Sequence, residues 1–93
     1  MLENNSTNVS GSKAEYERPF LEEPLEINLR FGARVSALRT QSELPQEELA
    51  LKLGVSVSHL IDLETGRKSA SIIDLDGLAQ QFKMSIAELL TGL

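Results

Sequence analysis

The sequence predicts one all-α domain of five helices, preceded by a flexible arm. Three observations support this fold class. From residue 27 onward, apolar residues recur at the three- and four-residue spacing of helices that bury one face. Proline and glycine divide this pattern into short segments, and no hairpin-type alternation interrupts it. A chain of 93 residues has the length of a single domain.

Residues 1–26 are expected to form a flexible acidic arm. They contain six acidic and two basic side chains, a net charge of −4, and no sustained apolar period. Pro19 and Pro24 interrupt the segment, which favours an irregular chain. Residues 27–93, the predicted folded domain, hold eight acidic and seven basic side chains. This near-neutral balance is less basic than in most DNA-binding domains, so the placement of charges matters more than their sum.

The first helix is predicted over about residues 28–41. Phe31, Val35 and Leu38 lie at positions i, i+4 and i+7, which puts them on one face of a helix. Pro45 then marks a break. Its fixed φ angle suits the first turn of a second helix, so the next element is expected to begin there.

The second and third helices are predicted over residues 46–53 and about 57–64. Gly54 ends the second helix, because glycine readily adopts the left-handed conformation that follows many helices. Ser56 is placed to cap the third helix by accepting a hydrogen bond from a free backbone N–H group. Two short helices joined by a three-residue turn have the layout of a helix-turn-helix, whose second helix can enter a DNA major groove.

Capping boxes mark the starts of the last two helices. Ser71 is followed three residues later by Asp74, which takes the place of the preferred Glu or Gln. Ser85 and Glu88 repeat the arrangement with the preferred acid. A fourth and a fifth helix are therefore expected to begin directly after these serines.

The central segment resembles the Cro and repressor-type helix-turn-helix family, also called XRE-like. The matching motifs are Gln-Glu-Glu-Leu-Ala at residues 46–50, Gly-Val-Ser at 54–56 and Leu-Glu-Thr-Gly at 63–66. Further matches in the same order extend the resemblance over roughly residues 28–91, about two thirds of the chain. The resemblance implies a lambda-repressor-like fold and a DNA-binding transcriptional regulator.

The resemblance also implies roles for individual side chains. Arg39 and Glu64 match a pair that forms a partly buried, structural salt bridge in relatives. Relatives contact DNA phosphates through a glutamine at the start of the second helix and through cations in the loop after the third helix. The residues expected to face phosphates are Gln46, His59, Arg67 and Lys68.

Base contacts are expected from the leading end and the exposed face of the third helix. At about 100° per residue, Ser58 and Asp62 point away from the buried stripe. Ser56 and Val57 lie at the leading end. Val57 suits a thymine methyl group, Ser58 either base type, and Asp62 the N4 amine of cytosine. This face lacks the Arg, Lys or Gln that relatives often carry there, and Asp62 also repels phosphates.

Two functions fit this pattern. The first is sequence-specific regulation of transcription, with repression favoured, by a homodimer whose third helices read operator half-sites about 34 Å apart. The second is a protein-interaction module on the same fold, such as an antitoxin or an adaptor. The exposed Val57 and Ile61, the acidic Asp62 and the negative arm favour this second function. Duplex binding with a steep salt dependence would distinguish the first from the second.

The composition argues against catalysis, a cofactor and a membrane. His59 is the one histidine and cysteine is absent, so neither a metal site nor a nucleophile–base pair is expected. The glycines do not follow phosphate-loop spacing. No apolar stretch has the length of a signal peptide core or a membrane span. We therefore expect a cytoplasmic protein without enzymatic activity, and the resemblance implies that a bacterium or a phage encodes it.

Overall fold

The computed structural model describes residues 25–93, and within them the chain forms five α-helices and no strand. The helices are α1 (Glu26–Gln41), α2 (Gln46–Leu53), α3 (Val57–Glu64), α4 (Ile72–Gln81) and α5 (Ile86–Leu89). The predicted all-α, five-helix fold is confirmed. The arm predicted over residues 1–26 lies outside the described residues except for its last two positions, where Glu26 already belongs to α1. No helix in residues 25–93 is long and apolar enough to cross a membrane.

Side-chain caps fix where the later helices begin. The Ser56 hydroxyl accepts a hydrogen bond from the backbone N–H of His59 at 3.0 Å, which starts α3 as predicted. Both predicted capping boxes are complete, with the serine hydroxyl and the third-residue carboxylate each accepting from the other's backbone N–H. Such a cap is worth about 1 kcal/mol, which helps to define the starts of the short α4 and α5.

The turn between α2 and α3 has a fixed backbone path. Pro45 occupies the capping position before α2 with φ of −64°, one residue earlier than the first-turn position predicted from the sequence. Gly54 ends α2 with φ of +74°, a left-handed conformation in which any side chain would be strained. The N–H of Val55 then donates to the carbonyl oxygen of Ala50 at 3.0 Å. The left-handed conformation of Gly54 and this hydrogen bond together set the direction of α3 after the turn.

The core draws on all five helices. Its hydrophobic members are aliphatic apart from one phenylalanine, so burial and packing of apolar side chains stabilise it. They are Phe31, Val35, Leu49, Ala50, Leu60, Leu63, Leu78, Ala79 and Leu89. Two of them, Leu60 and Leu63, come from α3. Truncating such a leucine to alanine typically costs about 2–5 kcal/mol, so this pair anchors α3 firmly to the rest of the domain.

Helix α1 rests directly on the carboxyl end of α3. A Cβ atom added at Gly32 would collide with the carbonyl oxygens of Leu63 and Glu64, so only glycine permits this approach. Farther along α1, the guanidinium group of Arg34 donates to the carbonyl oxygens of Glu88 and Leu89 at 2.8 and 2.9 Å. Helix α1 therefore supports both α3 and the end of α5.

Candidate nucleic-acid interface

The outward face of α3 is open in the monomer. Ser58, Ile61 and Thr65 are exposed along it, whereas Leu60 and Leu63 are buried on the opposite side. The Thr65 hydroxyl donates back to the carbonyl oxygen of Ile61 at 2.8 Å, so its hydrogen is already engaged. The result is a short helix anchored by two leucines that presents a surface of small and aliphatic side chains.

A buried carboxylate joins α1, α2 and α3. The Glu64 side chain is only 5% exposed, and its Oε2 atom lies 2.6 Å from Nε of Arg39. Its Oε1 atom accepts from Nη2 of Arg39 at 3.3 Å and from Nε2 of Gln46 at 2.9 Å. The pair for which the resemblance implied a structural salt bridge thus forms one. The same cluster orients Gln46 at the start of α2, and the second hydrogen on its amide nitrogen can serve another acceptor.

The loop after α3 folds back over Asp62. The backbone N–H groups of Arg67 and Lys68 donate to the Asp62 carbonyl oxygen at 2.9 and 3.3 Å. This geometry brings both cations toward the Asp62 carboxylate, which lies 3.8 Å from Nε of Arg67 and 3.6 Å from Nζ of Lys68. The Asp62 side chain is 14% exposed, while that of Arg67 is 58% exposed. The two predicted phosphate ligands therefore lie together, next to an acid.

The His59 side chain is directed toward α4. Its Nε2 atom lies 3.1 and 3.2 Å from the two carboxylate oxygens of Asp74, and the ring is partly covered. Burial of the Asp74 carboxyl opposes ionisation, but hydrogen bonds from the Ser71 backbone, from His59 and from the Ser71 hydroxyl outweigh it. The pKa of Asp74 is therefore lowered from its ordinary value of 3.8. His59 thus has an acidic partner within the domain.

The four residues predicted to contact bases differ in accessibility. Ser58 is exposed, whereas Val57 is partly buried and packs against the core. The Ser56 hydroxyl oxygen accepts the cap bond of α3, which leaves its hydrogen as a donor. The Asp62 carboxylate is mostly covered and faces the loop cations. The structure therefore brings Ser56 and Ser58 together at one end of α3 and turns Asp62 toward the other.

One residue that sequence reasoning missed links α1 to this loop. Asn28 is buried, and its side-chain amide donates to the Ser69 hydroxyl at 3.0 Å. Because buried polar groups require partners, this bond ties the loop that carries Arg67 and Lys68 to the first turn of α1. A polar residue within the apolar stripe of a predicted helix was the available signal, since Asn28 precedes Phe31 by three positions.

A small all-helical domain in which α2, a glycine turn and an exposed α3 follow one another has the architecture of a helix-turn-helix protein. The helix-turn-helix family profile matches residues 35–89, more than half of the chain. The chain therefore belongs to the helix-turn-helix family, and the expected resemblance to its Cro and repressor-type members is confirmed. It is also similar to the uncharacterized HTH-type transcriptional regulator y4dJ of Sinorhizobium fredii. The two are 38% identical over 60 residues, which cover 64% of this chain and 78% of the relative.

Solved structures share the same fold. The restriction-modification controller protein C.AhdI of Aeromonas hydrophila superposes with a TM-score of 0.63 at 32% identity, covering 67% of this chain and 94% of that one. The biofilm regulator SinR, solved in complex with DNA, superposes with a TM-score of 0.60 at 30% identity, covering 64% of this chain and 97% of that one. The described helices therefore have the arrangement of known regulators over nearly the whole length of those chains.

Proposed function

We propose that this protein is a DNA-binding transcriptional regulator that inserts α3 into the major groove of an operator. The observation that carries the proposal is the geometry around α3. Gln46 is hydrogen-bonded to Glu64, and the cations Arg67 and Lys68 lie beside Asp62, so residues of the last turn of α3 hold all three side chains. Similarity to SinR, whose structure is a DNA complex, and to a relative described as a transcriptional regulator supports it.

In this proposal, phosphate contacts come from both flanks of α3. Gln46 offers the second hydrogen of its amide on one side, and Arg67 and Lys68 offer positive charge on the other. His59 contributes only if its ring turns away from Asp74. Ser58, with the leading Ser56 and Val57, is assigned to base edges, and Asp62 is the weakest of the four predicted base contacts because its carboxylate faces the loop.

We further propose that the protein binds as a homodimer through the surface formed by α1 and the C-terminal residues. An apolar groove of about 250 Å³ lies there, lined mainly by Ile27, Phe31, Leu75, Leu90 and Leu93. Leu89, at the end of α5, is fully buried in the core and cannot contribute to a dimer surface. Leu90 and Leu93 are the remaining candidates. Sedimentation equilibrium of the protein would detect the dimer, and a monomer at high micromolar concentration would contradict it.

The test of DNA binding is a titration of labelled random-sequence duplex at several salt concentrations, with a double variant, Arg67→Gln with Lys68→Gln. We expect the variant to bind about tenfold more weakly to every sequence, with a salt slope smaller by about two, because two phosphate contacts are lost. Lys52→Gln with Lys83→Gln removes two exposed cations elsewhere and is the matched control. Equal weakening by both double variants, or no binding by the wild type, would contradict the proposal.

A protein-interaction module is the second candidate. Ile72 and Ile73, at the start of α4, are 79% and 82% exposed, which is unusual for two adjacent large aliphatic side chains. Under either candidate we assign the protein to the cytoplasm and assign it no catalysis, since the helix-turn-helix family that it matches and its structural neighbours are regulators. The salt titration distinguishes the candidates, because an interaction module would bind duplex weakly and without a steep slope.

A further inference from the structure

The Asp62 carboxylate is built into the loop that carries the proposed phosphate ligands. Its backbone carbonyl holds the loop, and its side chain lies within 3.6 and 3.8 Å of the two cations. The separations exceed hydrogen-bond length, so the carboxylate does not fix the orientation of either cation. Its effect is electrostatic, because its one negative charge offsets part of the positive charge that the proposed function requires of Arg67 and Lys68.

Of the two acids in α3, Asp62 is the one that lies beside the loop cations. The neighbouring acid of the same helix, Glu64, is engaged by Arg39 and Gln46 on the side toward α1 and α2. Asp62 is covered by the protein, and a charge screened from water acts on neighbouring charges more strongly than an exposed one. A phosphate that approaches Arg67 or Lys68 therefore meets a fixed carboxylate of its own sign.

We infer that Asp62 is an affinity-determining residue, which weakens binding of the loop cations to DNA phosphates on every sequence alike. The inference rests on the proposed DNA-binding function and adds a role for a residue that the sequence suggested as a base contact. In this role Asp62 acts through Arg67 and Lys68 and touches no base. The two roles predict opposite results when the charge is removed, because a base contact strengthens binding and a counter-charge weakens it.

The experiment compares Asp62→Asn with wild type on labelled random-sequence duplex over a salt series. Asparagine keeps the shape of the side chain and leaves the backbone carbonyl in place. We expect Asp62→Asn to bind roughly two- to fivefold more tightly at low salt, the size of effect typical of a partly exposed ion pair, with the gain fading as salt rises. Asp76→Asn, which removes an exposed acid on α4, is the matched control and is expected to change affinity less than twofold.

Two further measurements test whether the gain in affinity of Asp62→Asn arises from the loop cations. In the background of Arg67→Gln with Lys68→Gln, the gain from Asp62→Asn should fall to that of Asp76→Asn, because no loop cation remains to be released. Selection of bound fragments from random DNA should return the same motif for wild type and Asp62→Asn. Loss of a preferred cytosine at one position would overturn the inference and make Asp62 a base contact.

The outcomes also separate this inference from the proposed function. If wild-type binding depends on Arg67 and Lys68 but Asp62→Asn binds no better than Asp76→Asn, the inference is wrong and the DNA-binding proposal stands. If neither wild type nor Asp62→Asn binds duplex at low salt, both are wrong. Circular dichroism at the assay temperature would verify that every variant is folded.

Discussion

Two carboxylates of α3, Glu64 and Asp62, have opposite surroundings although they are only two positions apart in the sequence. Glu64 accepts short hydrogen bonds of 2.6 and 2.9 Å from side chains on α1 and α2. Asp62 has two cationic neighbours, but both lie beyond hydrogen-bond length, and Arg67 is more than half exposed. The comparison of their partners shows that two acids of one helix have different roles. A buried, hydrogen-bonded carboxylate fixes geometry, whereas a loosely paired one adjusts charge.

The largest expected effect follows from breaking the tight cluster. Glu64→Gln removes the counter-charge of the Arg39 guanidinium, which is 17% exposed, and weakens the bond to Gln46. We expect the free energy of unfolding to fall by about 3 kcal/mol, the typical cost of leaving one partner of a buried pair uncompensated. Urea denaturation measures it.

Asp62→Asn is the matched control for that change, because it removes the same charge two positions away. Its loose, partly exposed pairing predicts a loss of less than about 1 kcal/mol. Equal losses for the two variants would mean that the distinction between the clusters is false.

A smaller effect is expected at the third acid that contacts α3. Asp74→Asn replaces the carboxylate that accepts from the Ser71 backbone and pairs with His59. We expect it to cost about 1 kcal/mol at neutral pH, the usual contribution of such a cap. Because the pKa of Asp74 is lowered in the folded protein, its ionised form contributes stability that is complete above the ordinary value of 3.8. That contribution is lost as pH falls through the lower folded value.

The pH dependence gives this prediction its test. The difference in unfolding free energy between wild type and Asp74→Asn should be largest above about pH 5 and should shrink toward pH 2. Asp76→Asn, on the same helix, controls for the loss of one negative charge. A difference that grows as the pH falls from about 4 toward 2 would contradict the lowered pKa of Asp74.

Local signals in the sequence were enough for most of the fold. The bounds of α2 and α3, the Gly54 turn and both capping boxes depend on residues no more than four positions apart, and the structure has all of them. The first helix begins at Glu26, two residues earlier than predicted. No side chain caps its start, so no local signal marked that end.

The surroundings of the candidate site were harder to predict. The rotation of α3 correctly placed Ser58 and Ile61 outside, but it placed Asp62 there too. Whether an acid at the edge of a helix faces solvent depends on the path of the following loop, and helical periodicity says nothing about that path. The His59–Asp74 contact joins residues 15 positions apart on different helices, and therefore needed tertiary structure to be seen.

Gly32 has a consequence for anyone who wishes to retarget this domain. The main chain of α1 rests on the last carbonyl groups of α3 with no side chain between them, so the tilt of α3 is set from behind, at a point far from its outward surface. Substitutions at the outward positions Ser58, Ile61 and Thr65 leave this contact between α1 and α3 in place. A library built there would vary the outward surface of α3 on an unchanged support, whereas a side chain at residue 32 would displace α3 from α1.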